Sequence, residues 1–518
     1  MNSGDLLLNG RYTGPAGLVM SSDSALQSGN FWSSLENSQF NAWYVNFGTG
    51  NANNNNRFNE YSARAVAALS EEIKEGWLRA FEECCSHKMT SEQCILYRLW
   101  MEEDLMTLAT QVENRTYKPS TSKTFVTPRP KLREIFAAFF RDRIAQTWVC
   151  MRLIPLFEER FRRMGDVTYN SRKGFGVLSC VQRIEQDIIE VSENYTREAW
   201  IGKLDIYSCF MSIDRNRMLE LLIPFIERKY HGPDKDSLLW LSRTIVLHSP
   251  QDDCVKAGLQ HLWEKLPPHK SLFNAPPGIG MPIGNITSQI LNAFYLSYLD
   301  DLVLQLMARC GGRYVRFVDD MTIICRTKAD VIHIKTMIDV FLRDFLHHEL
   351  HPKKFYLQPA THGIKVVGSV IKPFRRYISN TTLGNLRDNF VKLEKVCRNI
   401  IEGGFTPHRA LKAESLVAGI NSTYGSLRHY SSFNVKRNVL AGLDYFWKIC
   451  YVLNNHTIKI RKRYRLTTTL IQEENEYIRE SSVHTGLQQV SSARHHRQRR
   501  RNRRRHKIHS PCSGTSAV

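Results

Sequence analysis

The stretch "RYVRFVDDMTIICR" (313–326) constrains this chain more than any other. Two β-rich arms flank an Asp-Asp dipeptide, the pattern of a hairpin whose turn carries Asp319 and Asp320. Two carboxylates at one tight turn repel each other at short range, so a cation is expected to compensate them. A third carboxylate, Asp205, ends the apolar strand in "EAWIGKLDIYSCFMSI" (198–213). Alone, an Asp-Asp pair would be read as a good turn dipeptide and nothing more. Read together with Asp205 it offers oxygen ligands suited to Mg²⁺, a hard cation that often takes only one or two carboxylates plus substrate phosphates, and the motifs around the three carboxylates decide between the two readings. Two such ions can activate an attacking 3′ oxygen and stabilise the leaving pyrophosphate of an in-line phosphoryl transfer. Mn²⁺ is the expected substitute.

The remaining pattern is α+β. A helical stripe of Ile73, Trp77, Leu78 and Phe81 runs through residues 70–88, and a second helical stretch follows around 92–112. Residues 124–161 read as a short strand, a turn and a long amphipathic helix. After the Asp205 strand come a helix at about 214–228, an apolar-faced helix at 283–307, the Asp-Asp hairpin, a helix at 328–347 and a β pair within 355–372. From about 381 the pattern is helical again. "HGPDKDS" (231–237) and "KLPPHKS" (265–271) read as loops.

The formal charge of +21 and pI near 9.5 point to nucleic acid as the polyanionic partner, because neutralising phosphates releases condensed counterions. A basic solvated surface or an acidic membrane face is the alternative. The charge is unevenly placed. Residues 1–60 hold two arginines against four carboxylates and sum to −2, so the rest carries +23. Eight arginines and one lysine fall in "RHHRQRRRNRRRHK" (494–507), which cannot bury a core and is expected to be a disordered arm or a solvated tail. Twelve cysteines without a CxxC pair fit a reducing cytoplasm. The spacing of Cys84, Cys85, His87 and Cys94 matches no common zinc site, and they read as buried thiols. No signal segment opens the chain and no apolar run approaches membrane-spanning length, so no membrane partner is expected.

In order along the chain stand "PKLRE", the Asp205 strand, "GMPIGNITSQ", Asp319-Asp320, "HPKK" and "VVGSVI". This ordered set resembles reverse transcriptases, over residues from about 110 to 450. The resemblance implies a right-hand polymerase: N-terminal helices and fingers at 70–200, a ferredoxin-like palm with fingers elements at 201–378, a helical thumb at 379–465 and a basic tail at 466–518. It implies that Asp205, Asp319 and the Ile206 backbone carbonyl ligate two metal ions, with Asp320 in support. Phe210 matches the bulky residue that excludes a ribose 2′-OH and so selects dNTPs. Lys131 and Arg133 match finger residues that clamp the incoming triphosphate. Lys354 matches a basic residue assisting pyrophosphate departure, although a solvated lysine reads equally well. Val366 and Val367 replace the usual Phe-Leu of the primer-positioning hairpin.

"PIGNITSQ" (282–289) narrows the resemblance. Many reverse transcriptases carry glutamine before this glycine and proline after the serine, where Ile283 and Gln289 stand here. That combination is similar to reverse transcriptases of diversity-generating retroelements, which copy a template RNA and misincorporate opposite adenine. It implies template and fidelity roles for Ile283 and Gly284, and a dNTP contact for Gln289. "IKPFRRYISNTT" (371–382) and "INSTYGSLRHYSS" (420–432) look like this family's palm end and thumb. The implied partners are template RNA, the RNA/DNA duplex, dNTPs and a small basic accessory protein. Residues 30–69 resemble the carboxyl end of the C-type-lectin-like proteins that such elements diversify. Asparagine codons begin with two adenines, so the run "NANNNN" suits a reading frame passing through a template repeat; an adaptor domain and an Asn-rich leader are the other readings of 1–69. For the whole chain the alternatives are a defence-associated or retron-like reverse transcriptase, and a non-catalytic RNA-binding protein on a polymerase scaffold.

Overall fold

The two strand patterns that carry Asp205 and Asp319 join in one four-stranded sheet in the computed structural model. The structure describes residues 70–466 apart from 87–88, 90, 100 and 129–130, together with the backbone of three strands nearer the amino terminus. The expectations for the Arg-rich tail, for His87 and for the rest of 1–69 lie outside the described residues. Those three strands, β1 (Asn30–Glu36), β2 (Asn41–Asn46) and β3 (Asn51–Asn56), pair antiparallel in that order.

The chain divides into two compact units, 1–367 and 368–518. In the first, α1 (Glu71–Ser86), α2 (Glu92–Arg98) and α3 (Met101–Glu113) precede the hairpin β4 (Ser122–Thr127) and β5 (Arg133–Ala137). Next come α4 (Phe140–Arg163), α5 (Val177–Val191), β6 (Trp200–Leu204), α6 (Arg215–Lys229), α7 (Lys235–Leu247), β7 (Cys254–Ala257) and α8 (Gln260–Glu264). The unit closes with α9 (Ile286–Cys310), β8 (Arg313–Phe317), β9 (Asp320–Cys325), α10 (Lys328–Phe345), β10 (Tyr356–Pro359) and β11 (Ile364–Val366). The sheet order is β10-β6-β9-β8, every neighbour antiparallel. With helices between β6 and β8 and between β9 and β10, this is βαββαβ connectivity, the fourth strand lying beside the first.

Alternation explains why β9 sits centrally. Met321, Ile323 and Cys325 turn into the main core with Val331, Ile334 and Ile338 of α10. Gly202 of β6 permits that packing, since a Cβ there would stand 2.5 Å from Val331 Cγ1. Phe157 of α4 stacks on Phe294 of α9 with centroids 4.5 Å apart, and Phe225 of α6 meets Phe294 at 4.9 Å. Each such buried ring contributes roughly 1.5–3 kcal/mol. From the expected stripe, Trp77 and Phe81 are buried, Ile73 packs beside them and Leu78 is exposed. The stretch at 92–112 is two helices, α2 and α3.

The expected strand–turn–helix over 124–161 is a strand pair followed by a helix. β5 escapes a hydrophobicity reading because one of its two buried positions is a carboxylate, Glu134, the other being Phe136. β7 adds to this hairpin, parallel to β4. Of the two expected loops, "HGPDKDS" runs into α7 at Lys235, and "KLPPHKS" contains a single 3₁₀ turn at Pro268–Lys270. No helix among the described residues is long and apolar enough to cross a membrane.

The second unit comprises β12 (Ser369–Lys372), β13 (Arg375–Ile378), α11 (Asn380–Gly403), α12 (Pro407–Ser426), α13 (Phe433–Leu440), α14 (Asp444–Ile449), β14 (Cys450–Leu453) and β15 (Thr457–Ile460). Its own core joins Phe390 and Leu393 of α11 to Ile420 and Tyr424 of α12 and Phe446 of α14. The all-helical expectation past 381 misses the β14–β15 hairpin, whose turn places Asn454 and Asn455 at φ of +50° and +55°. Asparagine is among the few residues that take this conformation readily.

Candidate active site

Asp205 follows the last residue of β6, and its carbonyl accepts the His351 N–H at 2.8 Å. The Tyr207 N–H donates to the Glu349 carbonyl at 2.8 Å, so the segment after α10 fixes both sides of Ile206. β9 runs beside β6 with Met321 opposite Leu204, which delivers the β8–β9 turn next to Asp205.

The turn differs from the sequence expectation by one residue. Phe317 pairs with Asp320 across the hairpin, so its two-residue tip is Val318-Asp319, and Asp320 is already in the strand. Val318 has a φ of +59°, which suits a tight hairpin but is rare for a β-branched residue and costs about 1–3 kcal/mol. Surrounding structure holds it there. Arg316 donates to the Val318 carbonyl at 2.9 Å, and Asp300 of α9 grips the same guanidinium at 2.6 and 2.8 Å. Both side chains of this ion pair are 0% exposed, and the Tyr314 hydroxyl donates to Asp300 at 2.9 Å.

A cleft of about 410 Å³ opens at this point, lined by Asp205, Ile206, Phe210, Asp319, Lys131, Arg133, Ile283, Gly284, Gln289 and Lys354. Thus every sequence-expected site residue except Asp320 meets in one cavity. Asp320 instead pairs with Lys203 at 3.1 Å and faces Cys180 and Ile184 of α5. Lys354 reaches Asp205 directly, Nζ to Oδ2 at 2.8 Å. The Asp319 carboxyl is pushed up to about 6, first by burial and then by the charges of Asp205 and Asp320, with Lys354 opposing. A site that disfavours its own ionised carboxylate gains most from an added cation.

Gly284 is required by close approach. Its φ is +127°, and a Cβ would stand 2.4 Å from the Phe136 carbonyl. The Phe136 N–H donates to the Ile283 carbonyl at 2.7 Å, which locks "PIGN" onto β5. Ile283 and Phe210 then share an apolar cluster with Phe136, Met211 and Leu272. Gln289 Oε1 accepts from the Ser171 hydroxyl at 3.1 Å.

Sequence reasoning missed Asn170, Tyr207, Ser208, His269, Lys270 and His351 in the cleft wall. Asn170 is delivered by Arg172, buried against Glu158 and Asp166, and by the Tyr169 N–H donating to the Arg316 carbonyl at 3.0 Å. The available signals were two glycines with φ of +73° and +83°, Gly165 and Gly174, bracketing a polar connection between helices. Elsewhere, the thiols of Cys85 and Cys94 lie 3.1 Å apart and are buried. Among the described residues no group of three or more His, Cys, Asp or Glu side chains could hold a metal, and the cleft offers two carboxylates.

No protein-family model matches the chain, and no curated protein does. Among solved structures it is similar to telomerase from Candida albicans in complex with a TWJ fragment of telomeric RNA, at 10% identity and a TM-score of 0.39, covering 63% of this chain and 64% of that one. Apo telomerase from Candida tropicalis gives 13% identity and a TM-score of 0.38, with 62% and 58% covered. A form of the latter truncated from its C-terminal domain gives 12%, 0.36, 50% and 55%. The chain spans less than two thirds of the length of each of these structures.

Proposed function

We propose that the protein is an RNA-directed DNA polymerase that extends a primer on a retroelement template RNA, with errors concentrated at template adenines. The observation that carries this reading is the single cleft in which Asp205, Asp319, Phe210, Lys131, Arg133 and Lys354 converge. The βαββαβ sheet suits a ferredoxin-like palm, the β4–β5 hairpin with β7 suits fingers, and α11–α14 with the β14–β15 hairpin suit a thumb over 379–465.

The donor set fits Mg²⁺. Asp205 and Asp319 line the cleft with carboxylates, the Ile206 carbonyl would add a third oxygen, and two carboxylates suffice when substrate phosphates complete the shell. When bound, the cations would lower the pKa of the primer 3′ hydroxyl and neutralise the departing pyrophosphate. The chain's own groups do the rest. Asp205, just after β6, and Asp319, in the β8–β9 turn, would hold the cations side by side. Lys131 and Arg133 hold the triphosphate by charge-assisted hydrogen bonds. Phe210 fills the space a 2′ hydroxyl would need, backed by Ile283 and Met211. Lys354 neutralises Asp205 and is placed to meet phosphate oxygens.

The mutagenic part rests on Ile283 and Gln289. An aliphatic side chain at 283 offers no hydrogen bond to the nascent pair, and the Gln289 amide oxygen is already engaged by Ser171. Checking then falls on shape alone, and discrimination weakens where a mismatch is close to isosteric. Sequencing cDNA made by the full-length protein on its element's own RNA tests this. Substitutions clustered at template adenines are expected, and they should be absent with Asp319→Ala. Faithful cDNA would keep the polymerase and favour a defence-type reverse transcriptase.

A further inference from the structure

The wall of the cleft beside Tyr207 is built by a connection that the polymerase reading leaves without a task. It runs from Lys265 to Phe273 and contributes His269 and Lys270 to the cavity. The His269 ring stacks on Tyr207, centroids 5.3 Å apart and planes 24° apart, while His351 meets Tyr207 edge-on at 5.5 Å. The connection is therefore seated over the residue two after Asp205. Its anchor is Glu134, 0% exposed, which accepts the Ser271 hydroxyl at 2.6 Å and the Leu272 N–H at 2.8 Å. Burying a carboxylate costs free energy that these two hydrogen bonds must offset. That cost is spent on fixing Ser271 and Leu272, immediately after Lys270. Glu134 is also the residue after Arg133 on β5, so one buried side chain sets the spacing between Arg133 and Lys270. Among the described residues Lys270 has no carboxylate partner, whereas Lys354 is tied to Asp205 at 2.8 Å.

We propose that Lys270 binds the phosphates of the incoming nucleotide and that Glu134 is the positioning residue that holds it in the cleft. The inference rests on the polymerase reading. An exposed ammonium in the same cleft as Asp205 and Lys354, held beside Arg133 through Glu134, meets the triphosphate end of a nucleotide, not a base. His269 supplies rigidity through its stack on Tyr207. Lys131, Arg133 and Lys270 then close on the anion from two elements, the start of the β5 strand with the turn before it and the 3₁₀ turn at Pro268–Lys270.

The test is steady-state primer extension by the full chain on a defined RNA template with a DNA primer, Mg²⁺ and dNTPs. Lys270→Ala should raise KM for dNTP about tenfold, the loss of one charge-assisted hydrogen bond, and leave kcat within about twofold. Lys270→Arg should recover most of the loss. Glu134→Ala should raise KM comparably on its own but by less than about twofold when added to Lys270→Ala, because it acts through Lys270. If Glu134→Ala does not fold, Glu134→Gln carries the same comparison. An unchanged KM for Lys270→Ala, or a loss of template–primer affinity in its place, would overturn the proposal. Multiplying effects in the double variant would overturn the role of Glu134. A wild-type chain that extends no primer at all would instead remove the polymerase reading, and this inference with it.

Discussion

Where the β8–β9 turn falls decides which of two adjacent carboxylates reaches the cleft. With Phe317 paired to Asp320, Asp319 takes the turn and enters the cavity, while Asp320 lies on the α5 side with Lys203. Asp319→Asn should therefore abolish primer extension, whereas Asp320→Asn should retain about a tenth or more of it, read as initial rates at saturating Mg²⁺. Asp205 and Asp319 were legible because an apolar strand and a hairpin each stop at a carboxylate. The split between Asp319 and Asp320 was not, since it depends on Val318 accepting a φ of +59°. A second residue-scale consequence concerns His348, buried with Nδ1 2.9 Å from the Ser212 hydroxyl. Burial, reinforced by His347 and opposed by Asp214, pushes it down to about 4. At this position the folded state thus binds fewer protons than the unfolded state below pH ~6.5, and the stability that His348 contributes is lost as pH falls from there through about 4. Denaturant unfolding across that window should show the wild-type chain losing about 3 kcal/mol relative to His348→Gln, a comparison that cancels the opposite contribution of buried carboxyls such as Asp319.

At the scale of elements, the strained turn needs the buried Arg316–Asp300 pair behind it. Asp300→Asn leaves an uncompensated guanidinium in the core and should destabilise the protein by about 3–5 kcal/mol in urea titrations. Replacing both partners with apolar residues (Arg316→Met with Asp300→Leu) should recover only part of that stability, because the buried Tyr314 hydroxyl loses its acceptor, and no activity, because the Val318 carbonyl loses its donor. No periodicity announces such a pair. Arg316 occupies a buried strand position that a hydrophobic pattern would give to an aliphatic residue, as Glu134 does in β5. Helices were more legible than strands for the same reason: α6, α9 and α10 carry long apolar faces, while β5, β14 and β15 are short, and β5 holds a charge inside. The Asn-Asn pair at 454–455 was a turn signal available in the sequence and outweighed by the helical pattern around it.

For the whole molecule, the ordered set of short motifs told more than any one of them. Each motif is weak alone, and the structure's contribution is that residues from 131 to 354 line one cavity of about 410 Å³. The connection that brings in His269 and Lys270 was legible as a loop, but its place in the cleft was not, because that is set by contacts to β5, far away along the chain. The net charge of +21 fits a nucleic-acid partner but places no residue. The measurement that bears most directly on the cavity's purpose is extension of a labelled DNA primer on an RNA template by the purified full chain, with and without Mg²⁺, beside Asp319→Asn. Metal-dependent extension by the wild-type chain, absent in the variant, is the expected result. Extension that persists in Asp319→Asn, or none by the wild-type chain with either Mg²⁺ or Mn²⁺, would contradict the assignment of this cleft as a polymerase active site.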